Sequence, residues 1–223
     1  MYAKMLDFIS NRVALGDRLG EAFYAVWMVV VSIGLLNSVE HITREHVLYV
    51  VSVCFMVNFT WGIIDGVTAM YSAIIARARR DRYVYGLRSG DRSIRREVHN
   101  RIDEVVGGRL SEDQKDRIQA VIAEGAPGEN PALRRYGEGA DDWLYALSFL
   151  VIDVALVIPV VAPLLLVDDL QRGVHISRIV AVAIFAALGW QYARSLNRNP
   201  WLAALGVGVL GLAVATYAYE TGG

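Results

Sequence analysis

From Val47 to Ala76 the chain runs thirty residues with one charged side chain, Asp65. In a bilayer core no water is present to bond backbone N–H and C=O groups, and an α-helix satisfies all of them within one segment. A crossing takes about 20 apolar residues. Four more runs meet or approach that length: Ala22–Val39, Trp143–Val167, Ile179–Leu196 and Trp201–Tyr219. Hydrophobic residues make up 55% of the sequence and mean hydropathy is +0.36, above the level of ordinary soluble domains. The expected fold class is all-α, an integral membrane protein with five transmembrane helices, whose odd number places the two termini on opposite sides.

The lone cysteine, Cys54, lies inside the second run, so one chain can build neither a disulfide nor a cysteine metal site. The first run begins only after Glu21 and exceeds the apolar core of a signal peptide, so it reads as a retained helix. Lys and Arg outside the runs are distributed unevenly. Lys4, Arg12 and Arg18 precede the first run, fourteen lie between Arg77 and Arg135, and Arg194 and Arg198 stand at the turn where the fourth ends. The other side holds only Arg44, Arg172 and Arg178. The positive-inside rule then places the N-terminus and the long central segment in the cytoplasm and the C-terminus outside, across an inner (cytoplasmic) membrane.

Three regions are expected: residues 1–76 with the first two spans, 77–141 as a small cytoplasmic helical insert with its linker, and 142–223 with the last three spans. Tyr2, Met5, Leu6, Ile9 and Val13 recur at helical spacing, describing an amphipathic helix on the inner membrane surface. The second run exceeds a simple crossing and is followed by Arg77, Arg79 and Arg80, so it tilts or projects past the inner surface. In the insert, Ile94, Val98, Ile102, Val105 and Val106 form one helical stripe, ended by Gly107-Gly108. Ser111 with Gln114 reads as a capping box opening a second helix with the stripe Ile118, Val121 and Ile122. Gly and Pro between Glu124 and Pro131, and again at Gly137 and Gly139, mark a linker. Pro159 and Pro163 are expected to kink or locally unwind the third span.

An acid at the bilayer centre costs about 2.5–3.5 kcal/mol on insertion scales, so each one in these runs needs a partner, water, a proton or a cation. Asp65 lies eighteen residues beyond Val47, about 27 Å along a helix and near the cytoplasmic boundary. Asn58, Gly62, Asp65, Ala69 and Ser72 share one helix face, a small polar strip that must meet another helix or a water-filled cavity. Asp65 is either a functional acid on that strip or one that snorkels to the interface or caps a neighbouring helix. Asp153, near mid-depth in the third run, suits a proton-binding or ion-path role, or a hydrogen bond to Asn58 or a tyrosine. Glu21 stands at a depth similar to that of Asp65. Together the two can hold a hard or borderline divalent cation through oxygen; equally, Glu21 favours a helix N-terminus through the macrodipole.

His41, His46 and His175 fall in outer loops beside Glu40, Glu45, Asp168 and Asp169, a group that can meet metal or sense pH, though loop histidines are common. In the insert His99 and Asp103 share a face, but interleaved arginines point to a solvated, salt-bridged surface. Phosphate-loop, zinc-protease and serine-hydrolase motifs are absent, and no enzyme activity or cofactor is expected. The arginines follow a span and are balanced by acids, which points to anionic lipid headgroups and away from nucleic acid.

Leu19-Gly-Glu21 entering the first span, Asn58-Phe-Thr-Trp-Gly-Ile-Ile-Asp65 in the second, Asp142-Trp143 with Pro159 and Pro163 in the third, and Asn199-Pro-Trp201 before a glycine-rich last span complete the pattern. Two spans, a helical insert and three more spans in this order resemble the vacuolar iron transporter family, in particular its shorter bacterial relatives. The resemblance implies a dimeric exporter that moves ferrous iron or manganese out of the cytoplasm in exchange for protons. It implies that Glu21 and Asp65 are ion-path acids and that the insert is a metal-binding hairpin, where Glu97 and Glu104 are the candidate ligands. The first span here lacks internal acids, and the insert lacks Met and Glu-x-x-Glu pairs.

The reading is a membrane transporter of a divalent metal, iron or manganese, with Glu21, Asn58, Asp65 and Asp153 along the ion path and Glu21 and Asp65 as metal ligands. A homodimer is expected because the small-residue faces at Gly62/Gly66 and Gly206/Gly208/Gly211 need partners. The alternative is a non-transporting membrane scaffold or sensor that keeps the same fold.

Overall fold

The computed structural model describes residues 12–124 and 136–222. Tyr2, Met5, Leu6 and Ile9 of the expected amphipathic helix, and most of the linker from Glu124 to Pro131, lie outside the described residues, whereas Val13 lies within them, buried and outside any helix. Among the described residues the chain forms seven α-helices and no strand: α1 (Leu15–Gly34, continued by a 3-10 turn, Leu35–Ser38), α2 (Arg44–Arg88), α3 (Arg92–Val106), α4 (Glu112–Glu124), α5 (Ala140–Leu166), α6 (Leu170–Ser195) and α7 (Pro200–Thr221). Five of them, α1, α2, α5, α6 and α7, are long and apolar enough to cross a membrane, which fits a multi-pass membrane protein. The chain divides into two compact units, residues 1–68 with 141–223, and residues 69–140, with the boundary inside α2.

Local chemistry fixes the helix ends. Thr43 and His46 bond reciprocally at the start of α2: the His46 amide donates to the Thr43 hydroxyl and the Thr43 amide to His46 Nδ1, both at 3.3 Å. This is a capping box with an imidazole in place of the usual Glu or Gln. Asp91, Asp169 and Asn199 cap α3, α6 and α7 by accepting amides of the first turn, and Pro200 follows Asn199 at a position where its missing N–H costs nothing.

The first unit is built around valine. Val26, Val29 and Val30 of α1, Val47, Val50 and Val51 of α2, and Val157, Val160 and Val161 of α5 are buried together with Val174 and Phe185 of α6 and Ala215 and Ala218 of α7. Large apolar side chains such as Trp201, Leu202, Leu205 and Tyr217 of α7 point outward, as lipid-facing residues do. Helix α5 runs unbroken through Pro159 and Pro163, so the expected unwinding does not occur. Its last carbonyls are satisfied from α2: Arg44 Nη1 donates to the Leu164 carbonyl at 3.0 Å and Nη2 to that of Leu165 at 2.5 Å.

The small-residue faces find their partners within the chain. A Cβ on Gly62 would lie 2.7 Å from Leu150 Cα, and one on Gly66 would collide with the Ala146 carbonyl, so both glycines exist to let α2 touch the α5 backbone. Gly208 and Gly211 likewise face Ala186 and Phe185 of α6. Of the residues expected to need a second copy, Gly206 alone faces open space. These faces therefore give no ground for a dimer.

In the second unit, the end of α2 packs with α3 and α4 around Leu87, Ile94 and Val98, and Gly86 admits Ile94 where a Cβ would be 2.6 Å away. Helix α3 ends on Gly107 in the left-handed conformation (φ 62°). The capping box is formed in both arms: the Ser111 amide donates to Gln114 Oε1 at 2.9 Å, and the Gln114 amide to Ser111 Oγ at 3.4 Å. Of the expected α4 stripe, Ile122 packs against this core, but the rest of the inward face differs. Lys115 and Gln119 are buried, whereas Ile118 and Val121 are exposed. The polar pair can go inside because it is satisfied there. Lys115 Nζ meets Asp103 at 2.7 Å and Glu112 at 2.8 Å, and Gln119 Nε2 donates to the Arg95 carbonyl at 3.1 Å. His99 Nε2 lies 3.0 Å from Glu112. The expected solvated surface at His99 and Asp103 is thus the seam between α3 and α4.

This seam sets a pH dependence. The hydrogen bond from Lys115 holds the Glu112 carboxyl below its ordinary 4.5, and the bonds to Asp103 and Glu112 hold Lys115 above its ordinary 10.5. A lowered acid stabilises above its unfolded pKa, and that stability is lost as pH falls through the folded value; a raised base stabilises below its unfolded pKa, and that is lost as pH rises through the folded value. The contribution of this seam to amide protection factors in α4 is expected to be level between 4.5 and 10.5 and to fall on either side. Lys115→Met should remove the alkaline limb and the Glu112 part of the acid limb. An unchanged profile in that variant would assign both limbs to other groups.

Candidate metal centre

Helices α1, α2 and α5 bring Glu21, Asp65 and Asp153 together, with one carboxylate oxygen of each within 4.8 Å of the others. Glu21 projects from the second turn of α1. Gly62 and Gly66 let α2 close on α5 at the level of the site, and the missing Cβ of Gly62 is filled by Asp153, whose Oδ2 would be 3.1 Å from it. Exposure is graded: Glu21 and Asp65 are half-buried, and Asp153 is 0% exposed.

Among the described residues neither oxygen of Asp153 has a hydrogen-bond partner, nor does Glu21 Oε2. The charged groups that Asp153 feels are Glu21 and Asp65, and those that Glu21 feels are Asp65 and Asp17. All are anions. Buried charges are ordinarily paired or bound to a cation, and like-charged carboxylates this close cannot all stay ionised without one. Hard divalent ions take oxygens at about 2.0–2.6 Å, which puts opposed ligands about 4–5 Å apart. The spacing of the three carboxylates fits that range. Sulfur and nitrogen ligands are missing from the group, and Cys54 is turned toward the Val29 carbonyl, 4.0 Å away. The donor set therefore favours Mg²⁺, Mn²⁺ or Fe²⁺ over soft ions such as Cu⁺.

The other candidates are placed elsewhere or differently. Asn58, 0% exposed, donates through Nδ2 to the Cys54 carbonyl at 2.9 Å. Glu97 accepts from the Tyr83 hydroxyl at 2.6 Å and lies 3.8 Å from Arg82, and Glu104 pairs with Arg101 at 2.7 Å. The structure does not bring those two into any group of ligands among the described residues. His46 is spent on the α2 cap, His175 packs 6.4 Å from the Tyr219 ring, and His41 lines a separate cavity of about 600 Å³ with Glu40 and Asp169. The sequence pairs Glu21 with Asp65 as ligands by depth and sets Asp153 deeper on the same ion path, without making it a ligand. The signal that joins them is the small-residue spacing at Gly62 and Gly66, which sets the α2–α5 register once those glycines are assigned to contact within the chain. No model of a known protein family matches the chain, and no curated protein sequence does either.

Proposed function

We propose that the protein transports a divalent metal ion, manganese or ferrous iron, across the membrane in exchange for protons. The observation that carries this reading is the convergence of three carboxylates from three membrane-length helices, with no cationic side chain paired to them among the described residues. Within a span such a group is costly to the fold and is retained for ions or protons. A divalent ion neutralises two of the three charges, and protons replace it when it leaves, so cation and proton occupancy exclude one another. The distribution of Lys and Arg supports a cytoplasmic location for the half-buried side of the site, and hence export. The resemblance to the vacuolar iron transporters agrees with this reading.

A membrane scaffold or sensor is the second reading. It is favoured by the insert, where Glu97 and Glu104 are already paired with Tyr83, Arg82 and Arg101 and are not free to take metal. Proteoliposomes separate the two. Protein-loaded vesicles with a pH gradient are expected to accumulate Mn²⁺ or Fe²⁺, and Asp65→Asn to reduce the initial rate at least tenfold, since it removes one ligand charge. Parent vesicles that accumulate neither ion would leave the scaffold reading.

A further inference from the structure

We infer that Asp17 is the loading residue of the metal centre, an exposed carboxylate on α1 that draws the divalent cation to the mouth of the site and passes it to Glu21. This rests on the transport reading above and deepens it by naming where the ion enters. Asp17 and Glu21 are four residues apart on α1, so they share one helix face, with Cβ atoms about 5–6 Å apart. That face is turned to the metal centre, because it carries Glu21 to Asp65 and Asp153. Two further relations hold Asp17 to the same side. The charges that act on Glu21 are those of Asp65 and Asp17, and Tyr145 of α5 lies in the field of both Asp17 and Glu21.

The acids form a graded series from solvent inward. Asp17 is exposed and Glu21 and Asp65 are half-buried. Asp153 is 0% exposed, and neither of its oxygens has a hydrogen-bond partner among the described residues. A cation moving along this series gives up water as it gains carboxylates. Asp17 makes no hydrogen bond or ion pair among the described residues, so its charge is not spent on a neighbour. It also stands one turn nearer the N-terminus than Glu21, on the side that the distribution of Lys and Arg assigns to the cytoplasm. An acid in the first turn of α1 has a simpler role as well, since it favours the helix N-terminus through the macrodipole. The two roles affect transport differently. A charge at the rim of a site governs the encounter with an ion and is screened by salt, whereas helix stability governs how much protein is folded.

Initial rates of Mn²⁺ uptake into proteoliposomes with a pH gradient, taken over a range of Mn²⁺ concentrations at low and high ionic strength, test this with the parent, Asp17→Asn and Asp17→Glu. At low salt Asp17→Asn is expected to raise KM about three- to tenfold while the maximal rate per folded protein is retained. The difference should nearly vanish at about 1 M salt, where the Debye length is about 3 Å. Asp17→Glu keeps the charge and should keep the parent's KM. A parental KM in Asp17→Asn, or a lower maximal rate at unchanged KM, would overturn the inference while leaving the carboxylate site intact. So would a rise in KM that Asp17→Glu shares or that persists in full at high salt, since either would point to packing. Absence of Mn²⁺ uptake by the parent would instead remove the reading of manganese transport, and the inference with it.

Discussion

Asp153→Asn is expected to stabilise the metal-free protein while abolishing its response to Mn²⁺. The two effects share one cause. Asp153 is 0% exposed, and neither carboxylate oxygen has a hydrogen-bond partner among the described residues. Burying an acid in that state opposes folding, and a neutral amide of the same shape relieves about 1 kcal/mol or more of that cost. The parent recovers it when a cation binds. At an ion concentration one hundred times Kd, binding to the native state alone adds about 2.7 kcal/mol. The thermal midpoint of the parent in detergent should therefore rise on addition of Mn²⁺. The variant should begin at the same or a higher midpoint and gain little. Accumulation of Mn²⁺ in vesicles should fall by at least a hundredfold, since the most buried ligand charge is gone. A variant less stable than the parent without metal, and still shifted by Mn²⁺, would mean that Asp153 has an unrecognised structural partner and does not hold the ion. The opposite signs are what mark a residue kept for function at the expense of stability.

How much of this was legible in the sequence depended on the range of the interaction. The five membrane-length helices were, because apolar length is a property of each segment alone. So were the Ser111–Gln114 capping box and the Gly107 stop, which involve neighbours three or four residues apart. The inward face of α4 was not. Lys115 and Gln119 displace Ile118 and Val121 from the seam only because Asp103 and the Arg95 carbonyl wait on α3, and no pattern within α4 records that. The site shows the same division. Asp65 and Asp153 stood out as costly acids, and their depths set Glu21 beside Asp65. Bringing Asp153 to them required the α2–α5 register, and the glycines that encode it read equally well as a surface for a second copy. The choice between those two uses depends on which backbone lies opposite, information that periodicity does not carry.

Gly66→Ala is expected to be among the most disruptive single-methyl changes in the chain. A Cβ at this position would collide with the Ala146 carbonyl, and backbone cannot rotate away as a flexible side chain would. Helices α2 and α5 would have to separate, and overpacking of this kind costs about 1–3 kcal/mol. In the same step the α2 face at Gly62 would withdraw from Asp153, which fills the missing Cβ there, so the Mn²⁺-induced rise in thermal midpoint should be lost along with the stability. Gly206→Ala in α7 is the matched control. Nothing lies within 4 Å of its Cβ, and the gain in helix propensity, about 1 kcal/mol, should leave it as stable as the parent or more so. Truncating Ala146 to glycine should not rescue Gly66→Ala, because the obstacle is the carbonyl and not the methyl. A Gly66→Ala protein with the parent's midpoint and the parent's Mn²⁺ shift would refute the close α2–α5 contact, and with it the register that sets Asp153 against Gly62.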